Sequence, residues 1–256
     1  MTANQLFDLT GQRALVTGSG QGIGFELARG LAQAGAEIIL NDIDPTRLAA
    51  AAEWLTAEGA TVHTLSFDVT APDAVQAAVD GFESTTGPID ILVNNAGMQV
   101  RAPLEDFPIE RFDALMRLNL NGVFYCGQAV ARHMIPRKAG KIVNICSVQT
   151  ALARPSIAPY TASKGGVANL TKGMATDWAR HGLQVNGLAP GYFKTELTAA
   201  LVADEQFTAW LSARTPAGRW GEVHELIGAC VFLASPASSF VNGHILYVDG
   251  GITSSV

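Results

Sequence analysis

Cysteine is scarce in this chain: Cys126, Cys146 and Cys230 are the 3 among 256 residues. An odd count without metal-ligand spacing excludes a disulfide framework and a zinc knuckle, and fits a reducing compartment. Runs of lysine or arginine are also missing. Lys and Arg total 17 against 23 Asp and Glu, a formal net charge of −6. That balance argues against nucleic acid or an anionic membrane as a partner. No apolar stretch is long enough to span a bilayer; Ile227 to Ala234, among the longest, falls well short. Met1 to Asp8 carry no basic start and no apolar run, so no secretory leader is expected. His63, His133, His181, His224 and His244 never fall four apart or beside an acid pair, so no metal site is expected. What remains is 48% hydrophobic and 16% charged, too apolar for disorder and sufficient for a large core. A cytoplasmic protein of one domain, residues 1–256, is expected, since no linker, repeat or low-complexity segment interrupts the chain.

Short apolar runs alternate with helical patterns. Strands are expected at Ala14–Val16, Ile38–Leu40, Val62–Phe67, Ile89–Val93, Lys141–Ile145, Gln184–Gly187 and Ile245–Val248. Helices are expected at Ile23–Gln33, from Pro45 to about Glu58, Pro72–Thr86, Ile109–Ile135, Ala158–Arg180 and Val223–Ala234. Gly35 stops the first of these, and Asp44-Pro45 reads as an N-cap with proline at the first helical position. Such alternation implies a doubly wound α/β fold: a parallel sheet of about seven strands, right-handed crossovers and helices on both faces. The segment 193–219 breaks the rhythm after a strand end, where insertions cover ligand crevices, and is expected to form a lid.

Thr17-Gly18-Ser19-Gly20-Gln21-Gly22-Ile23-Gly24 joins the first strand to the first helix. Glycines there let the chain turn sharply and let phosphate oxygens approach backbone amides, while the helix start favours a pyrophosphate. A glycine turn alone is weak, but this one lies between strand and helix with an acid downstream. That acid, Asp42, comes 18 residues after Gly24, at the end of the second strand. A carboxylate there can accept the adenosine ribose hydroxyls and repels a 2′-phosphate. With Gln21 rather than arginine in the loop and no arginine directly after the second strand, NAD(H) is expected over NADP(H). Asp68-Val69 and Asn94-Asn95-Ala96-Gly97 follow the third and fourth strands, at the edge where the dinucleotide is expected.

Tyr160 and Lys164 stand four apart in the first turns of a helix, so their side chains share a face. An ammonium held nearby is expected to lower the phenol's pKa and make Tyr160 a usable proton donor or acceptor. Ser147, at the end of a strand and 13 residues earlier, can donate to the oxyanion that hydride transfer to a ketone creates. Cys146 adjoins it without a histidine to activate the thiol, and reads as a small buried residue.

In this order the glycine turn, Asn94 to Gly97, Asn119, Ser147, Tyr160, Lys164 and Pro190-Gly191 resemble the short-chain dehydrogenase/reductase family along the whole chain. The resemblance implies a Rossmann-type fold, a secondary alcohol or ketone as substrate, no metal, and a homotetramer built through the helices near 109–135 and 158–180 and the last strand. It implies that Tyr160 moves the proton, that Ser147 holds the substrate oxygen, and that Lys164 binds the nicotinamide ribose. It gives Asn119 a water in the proton relay, and Pro190, Gly191 and Thr195 the nicotinamide amide.

Arg132-His133-Met134, Val143 to Gln149, Leu188 to Glu196 and Phe207 to Leu211 further resemble the gluconate 5-dehydrogenase group of that family. Met98, Val100, Arg101, Gln149, Ala151 and Tyr192 are expected at the substrate, and Trp210, with Trp220, is a candidate because it flanks the expected lid. Two departures stand out: Val100 and Ala151 occupy positions where that group carries an arginine and a glutamate. Together with Met98 they imply a more apolar pocket, open to less polar ketones. Other readings are a 3-oxoacyl-carrier-protein reductase, disfavoured by Asp42 and the acidic charge, and a dinucleotide-binding regulator without catalysis, disfavoured by the Ser147, Tyr160 and Lys164 set.

Overall fold

The apolar runs of the sequence become the buried centre of a sheet. In the computed structural model, which describes residues 2–255, the strands are β1 (Arg13–Val16), β2 (Glu37–Leu40), β3 (Val62–Thr64), β4 (Ile91–Asn94), β5 (Gly140–Ile145), β6 (Leu183–Pro190) and β9 (Ile245–Val248). Met1 and Val256, the ends of the expected domain, lie outside the described residues. The strands form one 7-stranded sheet in the order β3-β2-β1-β4-β5-β6-β9, and every pairing is parallel. Helices α2 (Gly22–Gln33), α3 (Pro45–Ala57) and α10 (Ile227–Ala234) cover one face, with Leu27, Leu31, Leu48, Leu55 and Leu233 in the core. The other face is covered by α4 (Pro72–Thr85), α6 (Gly122–Arg137) and α7 (Ala158–Trp178), through Val75, Val79, Phe82, Val130 and Met174.

The strand order reverses between β1 and β4, so the connections leaving these strands run to opposite faces of the sheet. A crevice opens between them at the carboxyl edge, the place where such sheets bind ligands. Asp44 caps α3 as expected, its carboxylate accepting from the amides of Thr46 (2.8 Å) and Arg47 (3.2 Å).

Several boundaries differ from the sequence expectation. β3 ends at Thr64, because Phe67 and Asp68 turn away from the ladder toward the crevice. β6 runs on to Pro190, since Gly187 to Pro190 pair with β9. The long helix expected over 109–135 is divided into α5 (Ile109–Met116) and α6 by a π-helical stretch, Arg117–Asn121. The wider turn coincides with the inward-facing Asn119. A 3₁₀ turn, Val223–Leu226, replaces the start of the helix expected from Val223. An amino-terminal turn not anticipated, α1 (Ala3–Leu6), is held by a reciprocal Thr2–Gln5 cap. The expected lid, 193–219, consists of β7 (Phe193–Lys194), a 3₁₀ turn, α8 (Ala199–Val202) and α9 (Glu205–Arg214). β7 pairs with β8 (Gly221–Glu222) as a separate two-stranded ribbon. Among the described residues no helix is long and apolar enough to cross a membrane, and no group of three potential metal ligands converges.

Candidate active site

The turn after β1 is shaped by close backbone approach. Gly18 has φ +61°, and a Cβ on it would lie 2.9 Å from the Ala96 Cα. A Cβ on Gly24 would overlap the Gly18 carbonyl and the Asn95 amide. Asn95 in turn donates to the carbonyls of Thr17 (2.9 Å) and Gly18 (3.0 Å), and the Thr17 hydroxyl accepts from the amides of Asn95 and Ala96 (3.0 and 3.1 Å). The end of β4 is thereby fastened to the glycine turn. Gln21 stands at the N-cap of α2 and no side chain caps the helix, which leaves its first amides for a ligand. These features fit a dinucleotide pyrophosphate. They open into a cavity of about 640 Å³. Every residue expected to hold the dinucleotide lines it, from Gly18, Gln21, Gly22, Ile23 and Gly24 through Asp42, Asp68, Val69, Asn95, Ala96 and Gly97 to Pro190, Gly191 and Thr195.

At the ribose end the structure adds a residue that sequence reading passed over. Arg47 donates from Nη2 to Asp42 Oδ1 at 2.8 Å and lines the same cavity. The other ligands of the Asp42 carboxylate are the amides of Gly20 (3.2 Å) and Asp44 (2.9 Å). The Asp42 carboxylate holds the Arg47 guanidinium in its charged form, raising its pKa. The charge expected to repel a 2′-phosphate is therefore met by a cation five residues on, in the first turn of α3.

The opposite end carries the catalytic candidates. Ser147 follows β5, is 8% exposed, and accepts from the Gln149 amide at 3.2 Å. Tyr160 and Lys164 lie on the first turns of α7, and all three residues line the cavity. Burial raises the Tyr160 phenol above its ordinary pKa, while the Ser147 hydroxyl beside it acts in the opposite sense. Lys164 Nζ donates to the Ile145 carbonyl at 2.6 Å and stands 5.8 Å from the centre of the Tyr160 ring. Burial brings this ammonium down to about 8. In place of the expected lowering by Lys164, burial is the largest influence on the Tyr160 phenol and acts upward, while the Lys164 hydrogen bond goes to a backbone carbonyl.

Comparison with known proteins decides the family. A family model described as enoyl-(acyl carrier protein) reductase matches residues 18–253. A gluconate 5-dehydrogenase of Gluconobacter oxydans (strain 621H) is 64% identical over 256 residues, covering 100% of both chains. A 5-keto-D-gluconate 5-reductase of Escherichia coli (strain K12) is 56% identical over 253 residues, covering 99% of this chain and 100% of its own. The crystal structure of a gluconate 5-dehydrogenase from Burkholderia cenocepacia J2315 in complex with NADP and tartrate superposes with a TM-score of 0.98 at 60% identity, covering 100% of both chains. The chain belongs to the short-chain dehydrogenase/reductase family. It is a gluconate 5-dehydrogenase-like oxidoreductase that uses a nicotinamide dinucleotide on a secondary alcohol or ketone.

Within this short-chain dehydrogenase, Asn119 stands apart from the cavity lining. It is fully buried: Oδ1 accepts from the Met98 amide (2.8 Å), and Nδ2 donates to the Met98 carbonyl (2.9 Å) and the Ser163 hydroxyl (3.2 Å). Ser163 donates in turn to the Tyr160 carbonyl at 2.8 Å. These side-chain bonds tie the segment after β4 to α7.

Of the expected substrate residues, only Met98 lines the dinucleotide cavity. Val100, Arg101, Gln149, Ala151, Tyr192 and Trp210 lie beyond it. Gln149 turns toward Tyr192, its Nε2 3.4 Å from the phenol oxygen. Tyr192 joins Phe207 and Trp220, with ring centres 5.9 Å away in each case, under α9. Ala151 is exposed, and Trp210 sits half-exposed on α9 against Phe207. Trp220 is buried in this aromatic cluster and donates to the Thr208 hydroxyl at 3.1 Å. Cys146 lines the cavity as a thiol, its pKa pushed by burial to about 11. Besides Arg47, sequence reading missed Ile43 and Arg117 on the cavity wall; Arg47 alone had a signal, its spacing from Asp42 across one helix cap.

Proposed function

We propose that this enzyme interconverts a ketone and a secondary alcohol on a polyhydroxy acid of the gluconate/5-ketogluconate kind, using either NAD(H) or NADP(H). The observation that carries this reading is the meeting of Ser147, Tyr160 and Lys164 at one end of a cavity whose other end is a glycine-turn dinucleotide cradle. Bound in that cradle, the dihydronicotinamide supplies the hydride. Ser147 donates a hydrogen bond to the substrate oxygen and stabilises its developing negative charge. Tyr160, which holds its proton through neutral pH, delivers it to that oxygen during reduction and takes it back during oxidation. The Lys164 ammonium near the ring offsets the negative charge left on the phenol.

Acceptance of both dinucleotides follows from Arg47, which can leave Asp42 to pair with a 2′-phosphate or stay while Asp42 accepts ribose hydroxyls. NADP in the Burkholderia cenocepacia relative supports this. Tartrate in the same relative, a hydroxylated dicarboxylate, supports an acidic polyol as substrate. The apolar Val100 and Ala151 favour a second reading, less polar ketones; buried polar atoms of Gln99, Gln149 and Thr150 without protein partners favour the acid. Assembly as a homotetramer belongs to the same reading, supported by exposed Ile109, Phe112 and Phe124 on α5 and α6.

The test is NADPH and NADH oxidation by the purified protein over 5-ketogluconate, neutral keto sugars, aryl ketones and 3-oxoacyl thioesters. The acid is expected to give the highest kcat/KM. Tyr160→Phe is expected to lose about 10²–10⁴ in turnover while binding dinucleotide normally. A thioester as best substrate, or a Phe variant of full activity, overturns the reading.

A further inference from the structure

The face of β4 and β5 that packs against α6 and α7 is apolar through Leu92 and Ile142 and then turns polar. Asn94 and Asn144 follow on that face as register partners. Both are buried, Asn144 fully. A side-chain amide inside a sheet face costs stability unless its hydrogens find partners. Here they do. Asn94 Nδ2 donates to Asn144 Oδ1 at 2.9 Å, and Asn144 Nδ2 donates to the hydroxyl of Thr171 on α7, also at 2.9 Å. The Thr171 hydroxyl, fully buried as well, donates to the Val167 carbonyl at 2.8 Å.

The buried face of α7 carries polar side chains only at Ser163, Lys164 and Thr171, and each is bonded to a segment outside the helix. The other positions of that face include the short Val167, Ala168 and Ala175, and Gly165, Gly166 and Gly173 fall in the same helix. Ridges built from such residues are shallow and hold a helix weakly against sliding. Lys164 and Thr171 stand seven residues apart, about two turns, and so share a face. They bind adjacent residues of β5, Ile145 and Asn144, just before Ser147. Two anchors on one face fix both the rotation of the helix and its position along the strand. Tyr160 rides on the first turn of that helix. On the opposite side Asn94 is followed by Asn95, which donates to the Thr17 and Gly18 carbonyls of the glycine turn.

We propose that Asn144 and Thr171 are positioning residues for the reaction: their hydrogen bond sets where α7 holds Tyr160 relative to Ser147 and the dinucleotide turn, so that proton and hydride reach the same carbonyl group. This assignment rests on the reading of Tyr160 as the group that moves the proton. Neither Asn144 nor Thr171 lines the cavity, so both act through Tyr160 and leave the binding of dinucleotide and ketone intact. A reacting group displaced by about 1 Å can cost about 10² in rate.

The experiment compares Thr171→Val, which keeps the shape and removes the hydroxyl, with Thr171→Ser, which keeps the hydroxyl. Thr171→Ala, which leaves space for a water to accept from Asn144, stands in if the valine variant does not fold. Each is assayed with the ketone of highest kcat/KM in the screen above, in H₂O and D₂O, with dinucleotide affinity measured by calorimetry. In the valine and alanine variants kcat is expected to fall about 10- to 100-fold, with KM and dinucleotide affinity within about twofold of the wild type. The solvent isotope effect on kcat is expected to rise as proton transfer becomes limiting, and Thr171→Ser to recover most of the rate. A lower Tm with unchanged kcat and isotope effect overturns the assignment, since the network then serves stability alone. A fall in kcat matched by an equal loss of dinucleotide affinity overturns it too, because the cradle and not the helix has moved. Full activity in Tyr160→Phe removes the reading of Tyr160 itself, and this assignment with it.

Discussion

Replacing Asn119 with alanine tests the tie that its side chain makes. The side chain is fully buried and makes three hydrogen bonds, two of them to the backbone of Met98. Truncation leaves the Met98 amide and carbonyl without partners in a site too closed for easy solvation. Each orphaned group costs about 1–3 kcal/mol, so a loss of roughly 2–5 kcal/mol is expected. In a domain of this size that corresponds to a fall in Tm of about 5–15 °C. Met98 lines the cavity, and Ser163 connects Asn119 to the Tyr160 backbone. Activity should therefore fall together with stability, with KM for the ketone rising as well. Thermal unfolding and steady-state kinetics on Asn119→Ala measure both. A variant that melts within about 1–2 °C of the wild type would refute the tie.

Two further outcomes follow from the same geometry. Arg47→Ala is expected to raise KM for NADPH by about ten- to a hundredfold and to move KM for NADH far less, because only the phosphate loses its cation; equal changes in both cofactors count against the role given to Arg47. The Lys164 ammonium is present below its pKa of about 8 and lost above it, while Tyr160 keeps its proton beyond that range. Ketone reduction is therefore expected to hold steady at neutral pH and decline as pH rises through about 8, and the decline should vanish in Lys164→Met, as a pH series of kcat would show.

Most of the cofactor cleft was legible in the sequence because its parts are local. Gly18 to Gly24 encode a turn, Asp42 ends a strand a fixed distance later, and Tyr160 and Lys164 share a helical face by their spacing alone. The substrate side was less legible. Val100 and Ala151 pointed to an apolar pocket, yet Gln99, Gln149, Thr150 and Arg154, on the segments after β4 and β5, each bury a polar atom without a protein partner. Arg47 escaped notice because a helix cap separates it from Asp42 in sequence and folds it back in space.

Composition and periodicity by themselves determined the doubly wound sheet, the glycine turn at its switch point and the pairing of a phenol with an ammonium on one helix. These depend on contacts within an element or between consecutive elements, which residue spacing encodes directly. Only the tertiary structure decided that Lys164 donates to the Ile145 carbonyl, that Asn119 binds the backbone of Met98, and that Asn95 fastens the end of β4 to the glycine turn. Each of those joins segments separated along the chain, and their meeting depends on how crossovers and loops pack, which no spacing in the sequence records.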